Sequence, residues 1–143
     1  MKLELDFSAN KNCADVFLEV YCDDKAILKS PAQAVKQTVQ LELLEHPADH
    51  VLRLIMHGKN HTHTVVDQQD QIVDDVYFTV DRLEFEELDM KEIFCQGQNC
   101  YTHSFNQDRP TVIDEFYGFI GCNGSIDFKF STPFFLWLNQ HFD

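Results

Sequence analysis

Hydrophobic and polar residues alternate with a period of two along most of this chain. Leu3, Leu5 and Phe7 alternate with Lys2, Glu4 and Asp6, as in a strand with one buried face. Val16, Leu18 and Val20 alternate with Phe17, Glu19 and Tyr21, and Cys22-Asp23-Asp24-Lys25 then reads as a hairpin turn into Ala26-Ile27-Leu28. Ser30 to Ala34 reads as a loop, and alternation resumes from Thr38 to Leu44. After a turn at Pro47, Val51 to Met56 is apolar but for Arg53, which predicts a central strand. Gly58 marks a bend or bulge.

Gln68 to Gln71 forms a polar tip between two extended arms. Val76, Phe78 and Val80 carry the period onward through Leu83 and Phe85 to Leu88. Cys95 to Asp108 is the longest polar stretch and predicts an elaborated loop. Gly121-Cys122-Asn123-Gly124 lies between alternating segments and predicts a hairpin. Thr132-Pro133 opens a short apolar helix, Phe134 to Phe142, fit to plug the open end of a sandwich or to bury itself in a partner.

About nine or ten short strands and one helix predict an all-β fold: a two-sheet antiparallel β-sandwich of jelly-roll, carbohydrate-binding-module-like type. With no repeat, linker or low-complexity segment, residues 1–143 read as a single domain. The 44% hydrophobic content, with 13 Phe, supports a folded core.

The net charge of −13 argues against a nucleic-acid partner and against direct adhesion to an anionic membrane. It suits solubility, cation binding or docking to a basic partner. The opening residues lack the apolar run of a signal peptide, so the expectation is a leaderless product made in a cytoplasm. Five cysteines do not read as a disulfide framework. Cys95 and Cys100 would need a second pair to hold zinc, so they read as reduced thiols.

The densest chemistry lies in His57, His61 and His63, three imidazoles within seven residues. On a strand, His61 and His63 would share a face and could hold a metal with His57 or Asp67. The alternative is a plain polar strand face. Asp67, Asp70, Asp74 and Asp75, with nearby glutamine carbonyls, offer the oxygen donors that calcium takes; the alternative is a solvated hairpin tip. Calcium and zinc are thus the candidate cofactors. For a ligand, Tyr101, His103, Asn106 and Asp108 set an aromatic ring among polar groups, a pattern that suits a sugar.

Catalysis has little to rest on. Glu84 and Glu86 share a strand face, with Glu87 next to them, but nothing sets them across a cleft as a glycosidase requires. No nucleophile elbow or phosphate-cradling loop is present. The expectation is a non-enzyme, with a metal-dependent enzyme on the histidine cluster as the second alternative.

Two resemblances add to this reading. His50-Val51-Leu52-Arg53-Leu54, followed by Asp75-Val76-Tyr77-Phe78-Thr79-Val80-Asp81-Arg82-Leu83-Glu84, resembles the paired strands of calcium-dependent carbohydrate-binding modules. The match covers about a third of the chain and lacks the Asn-Asp loop that coordinates calcium and sugar in those modules. The second resemblance spans more of the chain. It rests on His57-Gly58-Lys59, His63 to Asp67, Ile72 to Asp75, Asp114 to Gly118, Gly121 to Gly124, Phe130 to Pro133 and Leu136 to Leu138. These look like small proteins of tailed phages, especially marine cyanobacterial ones. That resemblance implies a virion component, such as a tail, fibre or decoration protein. Its partners would be other virion proteins or copies of itself, with a host-surface glycan as a further partner. Its place would be the host cytoplasm and then a phage particle. The sequence reading is therefore a phage structural or recognition module, with a calcium-dependent carbohydrate-binding protein as the first alternative.

Overall fold

The structure is a computed structural model that describes residues 1–95, 100–104 and 111–141. In chain order the first strands are β1 (Lys2–Ala9), β2 (Cys13–Cys22), β3 (Lys25–Ala32), β4 (Gln37–Glu42) and β5 (Ala48–His57). A single 3-10 turn, His61–His63, leads to β6 (Val65–Val66), β7 (Ile72–Asp74), β8 (Phe78–Phe85) and β9 (Leu88–Asp89). A short helix α1 (Lys91–Cys95) precedes β10 (Tyr101–Ser104), β11 (Val112–Asp114), β12 (Phe119–Ile120) and β13 (Asn123–Thr132). Helix α2 (Phe134–His141) follows.

Two antiparallel sheets face each other, as the alternation predicts. The first runs β12-β8-β1-β4, with β9 paired to β8; the second runs β11-β10-β13-β5-β2-β3. β6 and β7 form a separate two-stranded arm. Inward residues come from alternate positions: Leu3, Leu5 and Phe7 on β1, and Val16, Leu18 and Val20 on β2. β5 is central in its sheet, between β13 and β2, which explains its apolar run.

One end of the sandwich is closed by aromatic rings. Phe85 packs on Phe94, Phe130 and Phe134 at 5.8, 4.7 and 5.4 Å, and Phe94 packs on Phe128 at 4.8 Å. Helix α2 turns Phe134 and Trp137 into this cluster, so it plugs the sandwich from within the chain. Phe135 and Leu136 stay 55% and 57% exposed.

The Asp23-Asp24 turn is as expected, with both residues at positive φ joining β2 to β3. Three expectations about elements fail. Strand β3 runs on through Ala32, because Ser30 and Pro31 still pair with Leu18 and Phe17. The polar stretch from Cys95 contains a true strand, β10, which inserts between β11 and β13. The Asn123-Gly124 segment is not a hairpin: β12 pairs with β8 in one sheet and β13 pairs with β5 and β10 in the other. Gly124 has a different cause. A Cβ there would sit 2.1 Å from the Thr102 carbonyl oxygen, so only glycine lets β10 lie this close.

Candidate functional site

The histidine cluster does not converge. His61 and His63 lie on a 3-10 turn instead of a strand, so two-residue spacing no longer puts them on one face. Asn60 caps this turn, its side chain accepting from the Thr62 amide at 2.9 Å while its own amide donates to His63 Nδ1 at 2.9 Å. His57 sits at the end of β5, stacked on Phe17 at 5.3 Å, with Nε2 3.7 Å from the Glu19 carboxylate.

Three of the four aspartates in and beside the arm, Asp67, Asp74 and Asp75, are engaged within the chain. Asp67 Oδ1 accepts the amides of Gln69 and Gln71 at 2.8 and 3.0 Å, which builds the tip that Asp70 crosses at positive φ. Asp74 pairs with Lys11 Nζ at 2.7 Å. Asp75 pairs with Lys59 Nζ at 2.6 Å, and its Oδ1 also accepts from the Thr64 hydroxyl and the Val76 amide. Burial pushes the Asp75 carboxyl up. The Lys59 ammonium and the Thr64 hydroxyl outweigh it, so Asp75 titrates below the ordinary range. Among the described residues, no group of three or more His, Cys, Asp or Glu could hold a metal. Asp67, Asp74 and Asp75 already hold lysine ammonium groups or backbone amides, so among the described residues the arm gathers no ready set of donors for calcium or zinc.

The expected ligand set is also redistributed. Tyr101 is buried, its hydroxyl donating to the Cys122 carbonyl at 2.9 Å and accepting from the Cys122 amide at 3.1 Å. Burial pushes its phenol up to about 12. His103 is buried beside it at 4.4 Å between ring centres, with Nε2 3.7 Å from Asp114. These rings are core, not a platform for a ligand. Asn106 and Asp108 lie outside the described residues, as does the Cys95 side chain. Glu84 and Glu86 do not form a facing pair. Glu84 takes Arg82 at 3.3 Å on the sheet, whereas Glu86 sits in the β8–β9 turn at positive φ.

The surface with chemistry to spare is the outer face of the first sheet. At its edge Phe119 is 58% exposed and meets Tyr77 edge-on, 5.9 Å between centres and 68° between planes. Phe119 pairs across the sheet with Thr79, and Thr79 with Ser8. The Ser8 hydroxyl donates to Asp81 Oδ2 at 2.8 Å. Asp81 reaches this face because the β1–β8 register shifts between Asp6 and Phe7. One aromatic ring is thus followed, at the roughly 4.8 Å strand spacing, by a row of hydroxyls and a carboxylate.

Farther along the same face, Arg82 ties Asp6, Glu4 and Glu84 together at 2.9, 2.7 and 3.3 Å. The Arg82 guanidinium holds the Asp6 carboxyl below its ordinary range, against the pull of burial and with help from the Thr38 hydroxyl. This network stiffens the face and occupies Asp6, Glu4 and Glu84, leaving Asp81 outside it.

Sequence reading missed Phe119, Tyr77, Thr79, Ser8 and Asp81 as a group. The available signal was Tyr77, Thr79 and Asp81 alternating with the buried Val76, Phe78 and Val80. Only the pairing of β12 with β8 adds Phe119.

The chain matches no protein-family model and no curated protein. Two solved structures share its fold. One is vCBM60 in complex with galactobiose, at TM-score 0.50 and 10% identity, over 90% of this chain and 97% of that one. The other is a selenomethionine form of vCBM60, at TM-score 0.51 and 10% identity, over 89% of this chain and 88% of that one. It is described as linking, by circular permutation, two families of calcium-dependent carbohydrate-binding modules. At this identity the likeness is one of fold. It agrees with the first sequence resemblance in architecture. The solved structures do not support the phage resemblance.

Proposed function

We propose that this chain is a non-catalytic carbohydrate-binding β-sandwich that takes a neutral glycan on the Phe119 face. The observation that carries the reading is the half-exposed Phe119 ring, braced edge-on by Tyr77 and bordered by Thr79, Ser8 and Asp81. Sugar C–H faces stack on aromatic rings, and their hydroxyls seek fixed acceptors. The face supplies both, and its rigid strands would hold them at constant spacing. The chain's charge of −13 disfavours acidic glycans. The shared fold raises the prior for sugar binding without locating a site.

The test is calorimetric titration with galactobiose and a panel of neutral oligosaccharides. Phe119→Ala should weaken the best ligand about tenfold, equivalent to about 1.4 kcal/mol. Unchanged affinity in Phe119→Ala would place binding elsewhere, and no binding across the panel would remove the reading.

A second reading is favoured by Phe135 and Leu136, two exposed apolar side chains side by side on α2. It makes the chain a structural module that meets other copies of itself through this helix. Light scattering decides it: a concentration-dependent oligomer that Phe135→Ser/Leu136→Ser dissolves would support it, and a monomer at all concentrations would count against self-association.

A further inference from the structure

The foot of the β6–β7 arm is a junction of three segments around one lysine. Lys59, just past β5, has a side chain only 11% exposed. Its ammonium donates to Asp75, which follows β7, and to the Gly121 carbonyl, which follows β12. Its backbone is bound on both sides by Asn123: the Lys59 amide donates to Asn123 Oδ1 at 3.0 Å, and Asn123 Nδ2 donates to the Lys59 carbonyl at 2.7 Å. A carboxylate and a carbonyl converging from separated loops are hard oxygen donors of the kind that otherwise gather around a divalent ion. Here a primary ammonium already sits among them.

The junction leads directly to the proposed sugar face. Two residues after Asp75 comes Tyr77, and Asn10 binds both: Asn10 Nδ2 donates to the Asp75 carbonyl at 2.8 Å and Asn10 Oδ1 accepts the Tyr77 amide at 2.9 Å. We infer that Lys59 is the resident cation of this junction, ordering the arm and the Tyr77 segment without metal. The part of this inference that concerns the sugar face rests on the function proposed above. Lys59 is a positioning residue, not one that touches sugar. The four exposed aliphatics Val65, Val66, Ile72 and Val73 make the need for a clamp clear, because a two-stranded hairpin on its own is marginal in water.

The test is a double-mutant cycle on the full chain with Lys59→Met, Asp75→Asn and the pair. Lys59→Met keeps most of the apolar stem and removes the charge. Each single variant should lower Tm by on the order of 10 °C, because each strands a half-buried partner. The double variant should fall well short of the sum. Hydrogen exchange of the arm amides should accelerate in Lys59→Met and stay unchanged in the native protein when chelator is added.

Additive losses, or an arm that chelator loosens in the native protein, would overturn the inference. If Lys59→Met fails to fold, the milder Asp75→Asn and the chelator experiment on native protein still decide it. Glycan affinity is read separately. A chain that binds no sugar but shows the coupling sinks the proposed function and leaves the clamp standing. A chain that binds sugar through Phe119 yet shows additive losses does the reverse.

Discussion

The β6–β7 arm and the outer face of the first sheet are neighbours with opposite economies of chemistry. The arm and the turn before it hold His61, His63 and four aspartates, and yet Asp67, Asp74 and Asp75 are each engaged by an amide or a lysine of the same chain. The sheet face carries as many carboxylates, Asp81, Asp6, Glu4 and Glu84, the last three tied to Arg82. It nevertheless leaves Phe119 open to solvent beside a hydrogen-bonding row. The difference teaches that chemical density along a chain measures what a loop needs to hold itself together as much as what it can offer a ligand. A loop without a core must satisfy its backbone with side chains. A strand in a sheet has its backbone satisfied already, so its outward side chains are left to bond one another or a ligand.

The largest expected effect tests the structural side of this contrast. Gly58 has φ +92°, and a Cβ there would lie 2.1 Å from the Asp15 carbonyl oxygen. Gly58→Ala must shift backbone against backbone and should cost about 3 kcal/mol in urea unfolding. A loss near zero would mean that the turn before Lys59 is free to relocate, and the clamp with it.

Acid titration gives the next effect. Asp75 and Asp6 have folded-state pKa values below their ordinary 3.8. The stability they contribute is fully present above that value and is lost as pH falls through their lower folded values. Unfolding followed from pH 6 to pH 2 should therefore show a steep fall below about 4. Asp75→Asn should be less stable than the native chain at neutral pH and should have a shallower acid limb. An unchanged limb would mean that the Lys59–Asp75 pair is no stronger folded than unfolded.

The sugar-face variant separates function from fold. Phe119→Ala should leave urea stability within about 0.5 kcal/mol of native, because the ring is exposed, while glycan affinity falls. A large stability loss would make Phe119 a structural residue and weaken the contrast. The smallest effect belongs to the histidines. His61→Ala should change stability by about 0.5 kcal/mol or less, and His61→Ala/His63→Ala should leave the metal content of the purified protein unaltered. Loss of a stoichiometric metal in that variant would restore the cluster as a site.

Much of the fold was legible because it is local. Alternation at Leu3-Leu5-Phe7, Val16-Leu18-Val20 and Val76-Phe78-Val80 assigns inward faces, since side chains on a strand can only point to one face or the other. The Asp23-Asp24 turn and the Thr132-Pro133 helix start are set by short-range backbone preferences and appear where expected. The site was far less legible. His61 and His63 were read with strand geometry, and a capped 3-10 turn removed the basis for that reading. Tyr101 looked like an exposed aromatic in a polar loop until β10 proved to be a strand with its ring turned inward.

The sequence by itself determined the class of fold, the inward-facing positions of the main strands and the excess of negative charge. Periodicity and composition do not depend on which strands become neighbours. Tertiary structure alone decided that β12 and β13 part into different sheets, that Lys59 reaches Asp75 and Gly121, and that Phe119 stands beside Tyr77 and Thr79. Those outcomes depend on pairing between segments far apart in the chain. Such pairing is selected by how the whole core packs, and no local pattern of residues encodes it.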